Sequence, residues 1–558
     1  MDGVQLRSHV PDHDLEQKLL QLLRGSSAPA LIVFGGSAGT GKTALMARLR
    51  DAAPELFGEV IADATHSESP GQEQVSRLAS FFSPFADGAV PATGPSRMIA
   101  LNTGMALRFF HKVRQDEEAP GLTVLENILL SRLGVPRAAP AADAMGWLGD
   151  AVLVLNLDLR RTAGGPEALF LGMLKALDPD DPSGVLAGAA RCDSCRVREW
   201  CWPRTNAELV SADETGTVLD SAVTLAAHER GRNISPRELW ALAAALVLGG
   251  AHGVDPCEDV ADAFTAGDSS RLRDGLLPGA ALEILARNEP LAASLLTMDP
   301  TLQPNAEAHE EIASAGIDPA DDADRLVALL GVAEPAKRQA VRTIAAHAAA
   351  GPGLTGRYRA RARWLAAQLT PGSSPDEGFH AALSAFDGPP DPAADMRIME
   401  TLAIGLARGF GRKVGADTFL PVDKPGQSRK YDVLVGANLS SQNLLEITAD
   451  PHLESNPVGA DLLRYRPLAL PVRLGRHHLE ITLPIWRLLQ AAAAGTLPGT
   501  DDLERFHGLR RAVESAVLEL SLNPANALLI SDTNAGRHWR AANVRTRGGD
   551  LLNVYEVS

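Results

Sequence analysis

The sequence predicts an α/β fold: a parallel sheet near the N-terminus, a helical lid region stapled by a metal, and an α+β domain at the C-terminus. Three observations predict it. Apolar runs without alternation, at 30–34, 57–62, 98–101 and 151–155, are separated by helical segments, as in parallel strands covered on both faces. A cysteine triplet, Cys192, Cys195 and Cys201, lies in a long helical stretch, with Cys257 as the only other cysteine. Short strands and helices then mix beyond a Pro, Gly and Ser-rich segment at 370–375. The expected divisions are 1–180 for the core, 181–300 for the lid with its cysteines, 301–375 for a further helical region, and 376–558 for the C-terminal α+β domain.

Composition bounds the function. With 558 residues the chain has room for several cores, and 45% apolar with 22% charged residues is ordinary globular usage. There is no run of 18 apolar residues, and the first residues lack the basic-then-apolar order of a signal peptide. The expectation is therefore a cytoplasmic protein with no membrane role. A net charge of -16 argues against coating nucleic acid over the whole surface and leaves a local basic groove as the route to DNA.

Taken in order, residues 1–28 read as a helix carrying Leu15, Leu19, Leu20, Leu22 and Leu23. The run Ala30 to Phe34 then breaks at Gly35, and Gly36, Ser37, Ala38, Gly39, Thr40, Gly41, Lys42 and Thr43 lead into a helix at 44–50. A Gly-x-x-x-x-Gly-Lys-Thr pattern between strand and helix is a phosphate loop: glycines turn backbone N–H groups onto a polyphosphate, and the helix N-terminus adds to that field. Lys42 would reach the β- and γ-phosphates of ATP, and the Thr43 hydroxyl would ligate Mg²⁺. The pattern does not separate ATP from GTP.

The next strand ends at Asp63, and Ser69, Pro70 and Gln72 read as the capped start of a helix running to about residue 82. A third strand closes on Asn102, placed to sense the γ-phosphate or position water, or simply to turn the chain. A fourth ends at Asn156-Leu157-Asp158. Asp63 and Asp158 both stand where a carboxylate would hold Mg²⁺, and Asp63 is preferred because a capped helix follows its strand at once.

Cys192, Cys195, Cys201 and Cys257 supply four thiolates. Structural Zn²⁺ suits them first, with a 4Fe–4S cluster as the alternative. Further on, Ser235, Pro236 and Glu238 make a capping box that opens a helix, and Arg237 lies in its first turn, where a cation is unfavourable without an anion nearby. In ring-forming phosphate-loop ATPases an arginine at the start of a lid helix contacts the γ-phosphate. Arg357, Arg359, Arg361 and Arg363 form a basic stretch in which Arg357 and Arg361 share a helix face. In the C-terminal domain, strands are expected near 431–435, 468–472, 479–483, 527–530 and 551–557, with helices over 484–520. Arg412, Lys413, Arg429, Lys430, Arg464 and Arg466 there have aromatic neighbours, a mixture that suits a nucleic-acid backbone.

The ordered set of these features resembles one family. The glycine loop, the strand ends Asp63-Ala64-Thr65, Asn102-Thr103-Gly104 and Leu155-Asn156-Leu157-Asp158, the cysteine triplet before Asn206 and the Ser235-Pro236-Arg237-Glu238-Leu239 helix start are similar to the ATPase (F) component of bacterial DNA phosphorothioation-dependent restriction systems (DptF/DndF-like). The likeness runs over nearly the whole chain. It implies an ATP hydrolase in an antiphage complex whose partner subunits act on unmodified DNA. Lys42, Asp63, Asn102 and Arg237 would then do the catalytic work. The alternatives are a nucleotide-dependent signalling or assembly switch, similar to AAA+ or STAND proteins, with no direct DNA role, and a metal-stapled DNA-binding scaffold with an inactive loop. A homo-oligomer fits any of these, and no nuclease constellation is apparent.

Overall fold

The computed structural model describes residues 13–557 apart from 65–73, 92–93, 116–120, 136–147, 187–191, 250–254, 269–270, 272–273, 315–351, 370–376, 387–390, 415–416, 422–432, 439–444, 523–527, 533–534, 547–548 and scattered single positions. The cap at Ser69 to Gln72, the linker at 370–375 and Arg429 with Lys430 lie outside the described residues.

Four strands, β1 (Leu31–Gly35), β2 (Phe57–Ile61), β3 (Ser96–Ala100) and β4 (Val152–Asn156), form a parallel sheet in the order β2-β3-β1-β4. The lack of alternation in their sequences has a direct cause. Leu31 and Val33 face a layer that includes Leu78, Phe81, Phe109 and Leu129, whereas Ile32 and Phe34 face the opposite layer with Leu19, Met46 and Leu49. Both faces are dry, so every position of β1 must be apolar, and all five of its residues are buried. Helices Gln74–Phe82, Thr103–Gln115 and Thr123–Arg132 cover the first face, and His13–Arg24 with Lys42–Ala52 cover the second.

The outer edge of β4 is closed by residues from far downstream. Asn456 donates from Nδ2 to the Val154 carbonyl at 2.7 Å, and its Oδ1 caps the helix Pro457–Leu462 at the Gly459 N–H. Gly459 permits this approach, because a Cβ there would lie 2.7 Å from the Val154 oxygen. Leu462 and Leu463 complete the core beneath. Arg464 is tied to Glu167 and, at 2.7 Å, to Asp14. Its guanidinium is thus engaged by carboxylates within the first unit.

The chain forms two compact units, Met1–Gly372 with Ser455–Tyr465, and Ser373–Glu454 with Arg466–Ser558. The expected divisions 1–180 and 181–300, and 301–375 as far as Gly372, fall within the first, whereas 455–465 of the expected C-terminal domain also belong to it. In the second, β5 (Arg412–Val414), β6 (Asp417–Pro421), β7 (Val433–Asn438), β11 (Leu528–Asp532), β12 (Arg537–Thr546) and β13 (Gly549–Val557) make an antiparallel sheet in the order β13-β12-β11-β7-β6-β5. A smaller antiparallel sheet joins β8 (Leu445–Ile447), β9 (Leu470–Leu474) and β10 (His477–Ile481). Helices Pro392–Phe410 and Leu483–Ala493 pack so closely that a Cβ on Gly405 would lie 2.4 Å from the Leu489 oxygen. Among the described residues no helix is long and apolar enough to cross a membrane.

The basic stretch lies on the helix Pro352–Leu365 of the first unit, and there the structure corrects the sequence. Arg361 is only 2% exposed, with Nε 2.7 Å from Asp299 Oδ2 and a second bond to Glu283 at 2.6 Å. Arg359 pairs with Glu311, and Arg363 with Glu311 and Glu307. Arg357 is exposed. Carboxylates from other helices thus neutralise three of the four arginines, so Arg357 and Arg361 do not form a joint surface for DNA.

Candidate functional site

At the C-terminal edge of the parallel sheet, β1 opens into residues 36–41 and the helix begins at Lys42. Gly36, Gly39 and Gly41 have φ of +119°, +89° and +91°, a region that side chains with a Cβ disfavour, so the glycine spacing is a backbone requirement. The loop is braced by the buried Thr40, whose hydroxyl donates to the Ser37 carbonyl at 3.0 Å. Lys42 Nζ folds back to donate to the carbonyls of Gly36 at 2.7 Å and Ser37 at 2.6 Å. Partial burial lowers the Lys42 pKa, and the nearby Asp158 and Asp63 carboxylates oppose that shift. Ser37, Ala38 and Thr43 are exposed at the mouth.

The two candidate carboxylates stand differently. Asp158, two residues beyond β4, accepts from Ser37 N at 3.0 and 2.9 Å and from Ser37 Oγ at 2.6 Å. Its backbone is fixed on both sides: its N–H donates to Asn156 Oδ1 at 3.2 Å, and its carbonyl accepts from Asn233 Nδ2 at 3.2 Å. Asp63 is exposed beyond β2 and acts on Lys42 through its charge. Asp158 thus bonds the loop directly, and Asp63 lies near enough for its charge to act on Lys42. Asn102 follows β3, the strand next to β1, and accepts from Met105 N at 2.7 Å. It caps the helix Thr103–Gln115, so the turn role expected for it is real.

A second element closes on the loop. The helix Pro236–Leu248 starts with the expected capping box: Ser235 Oγ accepts from Glu238 N at 3.3 Å, and Ser235 N donates to Glu238 Oε2 at 3.0 Å. Arg232 grips the same carboxylate at 2.6 and 3.1 Å and, as the leading cause, holds the Glu238 pKa down to about 2. The preceding turn is anchored by Thr162 Oγ1, which donates to the Ile234 carbonyl at 2.8 Å. These contacts deliver Arg237 to the loop. Its N–H donates to the Gly39 carbonyl at 3.3 Å, and its side chain covers the bare face of Gly39. The structure thus brings together Gly36 to Thr43, Asp158 and Arg237, with Asp63 and Asn102 at the ends of the neighbouring strands. Sequence reasoning missed Asn233, Thr162 and Arg232. Only the position of Asn233 and Arg232 just before a strong cap offered a signal for them.

Cys192, Cys195 and Cys201 are half-buried, Cys257 is exposed, and none is in a disulfide. Turns link Cys195 N to the Cys192 carbonyl and Cys201 N to that of Arg198. Asp255 caps the helix Pro256–Ala266 at the Cys257 N–H, and Trp200 meets Phe264 of that helix with ring centroids 5.6 Å apart. Burial pushes the Cys201 thiol up to about 11, and the other three thiols add to the rise, so all four share a neighbourhood. Among the described residues, however, no group of three or more His, Cys, Asp or Glu side chains stands close enough to hold one metal ion. Charge acts over a longer range than a coordination bond, so the thiols can share a neighbourhood without standing at ligand distance.

No protein-family model matches the chain, and neither a curated protein nor a solved structure matches it.

Proposed function

We propose that the loop at 36–43 binds a nucleoside triphosphate with Mg²⁺ and that the chain hydrolyses it. The observation that carries this reading is the convergence of positive-φ glycines, Lys42 at a helix start, a carboxylate on the loop N–H and an arginine from a separate helix, all at the C-terminal edge of a parallel sheet. Each part suits phosphoryl transfer to water. Loop amides and Lys42 would neutralise the phosphates, Thr43 would ligate Mg²⁺, and Asp63 or Asp158 would support that ion, directly or through water. Arg237, whose side chain lies beside Gly39, would add positive charge as the γ-phosphate leaves.

The wider role is the one the sequence resemblance implies: an ATPase subunit of a DNA phosphorothioation-dependent restriction complex, working with partner subunits on unmodified DNA. The alternative, a nucleotide-dependent assembly switch, gains some support from the arginines at 359, 361 and 363, which are occupied inside the fold. Steady-state ATP hydrolysis, measured with and without unmodified duplex DNA and the partner subunits, separates the two. Stimulation by DNA supports the restriction role, and a slow rate indifferent to DNA supports the switch.

A structural metal held by Cys192, Cys195, Cys201 and Cys257 is proposed with it. The donor chemistry fits Zn²⁺, with a 4Fe–4S cluster as the alternative, and the Trp200 to Phe264 contact already draws the two cysteine segments together. Such a metal would tie the Cys201 turn to the helix that starts at Cys257, on either side of the helix bearing Arg237 in sequence.

A further inference from the structure

Ser37 N is a donor of the loop that leads into the helix starting at Lys42, and an anion already sits on it. That anion belongs to the chain. Asp158 accepts the Ser37 N–H with both oxygens and the Ser37 hydroxyl with one of them. Room for it comes from Gly36, where a Cβ would lie 3.3 Å from Asp158 N and 3.5 Å from Asp158 Cγ. Two cations feel its charge, Lys42 within the loop and Arg232 on the turn before the Arg237 helix.

We infer that Asp158 is an internal phosphate mimic: it holds the Ser37 N–H and hydroxyl when no nucleotide is bound, and an incoming polyphosphate has to displace it. This rests on the nucleotide reading of the loop. Two like-charged groups cannot share one N–H donor, so part of the binding free energy is spent on moving the carboxylate, and apparent affinity falls by the fraction of chains in which it has left. The displaced group has an alternative neighbour in Arg232. The Asp158 carbonyl accepts from Asn233, four residues before Arg237, so the same residue also holds the turn that delivers Arg237 to Gly39. The loop and the arginine helix are then linked through one residue that lies on neither.

Binding of fluorescent ADP to the full-length chain, with Mg²⁺ and with EDTA, tests this. Asp158→Asn keeps the size and an accepting oxygen but removes the charge. It should bind Mg-free ADP about tenfold more tightly than the parent, with a gain that shrinks as salt rises. Asp158→Glu, which keeps the charge, should show no gain. Unchanged Mg-free affinity in Asp158→Asn overturns the inference. So does the opposite pattern, in which that variant loses only Mg-dependent affinity, because Asp158 would then be a metal support. Binding by the parent is a separate readout: if neither parent nor variant takes ADP or ATP, the nucleotide reading itself fails and this inference fails with it.

Discussion

Adding one methyl group at Gly39 probes the contact between the loop and the arginine helix. Gly39 has φ +89°, and a residue with a Cβ in that region costs about 1–2 kcal/mol. The added carbon would also lie 2.9 Å from Arg237 Cβ, 3.1 Å from its Nε and 3.3 Å from its Cδ. The distal atoms can rotate away, but Arg237 Cβ is fixed to the helix backbone, so the start of Pro236–Leu248 has to retreat. Retreat lengthens the 3.3 Å bond from Arg237 N to the Gly39 carbonyl, worth about 0.5–1.5 kcal/mol. Gly41→Ala is the control, since Gly41 has φ +91° but faces open space, so only the backbone cost applies. The difference between the two, about 1 kcal/mol, corresponds to roughly fivefold faster opening. Native-state hydrogen exchange should therefore show amides 237–248 exchanging about fivefold faster in Gly39→Ala than in Gly41→Ala, with β1 amides alike in both. Equal exchange across 237–248 in the two variants would refute the proposed packing of Arg237 on the loop.

Other perturbations test other parts of the account. Arg361→Ala takes the cation from Asp299, a 0% exposed carboxylate then held by Thr301 donors, and should cost about 3–5 kcal/mol in urea denaturation, whereas exposed Arg357→Ala should stay within about 0.5 kcal/mol. Equal midpoints would contradict the internal role of Arg361. Burial raises the Asp220 pKa to about 6 against bonds from the Gly164 and Gly165 N–H groups. Its protonated form is favoured on folding, so that contribution is present below about pH 4 and is lost as pH rises through about 6. Asp220→Asn should remove this fall, and a melting-temperature difference between parent and variant that does not change over pH 4–7 would count against it. Elemental analysis of the purified chain should find about one zinc per chain and no colour, with absorbance near 400 nm pointing to an iron–sulfur cluster instead. A metal-free chain with four titratable thiols and full activity would remove the metal altogether.

What could be read from the sequence was local. Strands β1 and β4 were legible because burial on both faces keeps polar residues out of Leu31 to Phe34 and Val152 to Leu155. The glycine spacing at 36, 39 and 41 was legible because it is set by backbone geometry, and the Ser235 to Glu238 box because its bonds span three residues. Contacts across long separations were not legible. Asp158 meets Ser37 across 121 residues and Asn456 meets Val154 across 302, and no periodicity encodes either. The basic helix misled for the same reason: its spacing gives the face of Arg361, whereas the acids that bury it come from Glu283 and Asp299. In the second unit the three-residue strands β5 and β8 are too short for a pattern, and β12 is interrupted by arginines at 537, 540 and 545.

Turnover of ATP by Lys42 and its loop is checked by steady-state phosphate release from the purified chain beside Lys42→Ala, at saturating Mg²⁺ and ATP. Lys42 would supply a point charge to the transferring phosphoryl group, and among the described residues its Nζ bonds to loop atoms, so the variant should stay folded and lose about a hundredfold or more in rate. A folded Lys42→Ala chain that hydrolyses ATP at the parent rate would contradict that role.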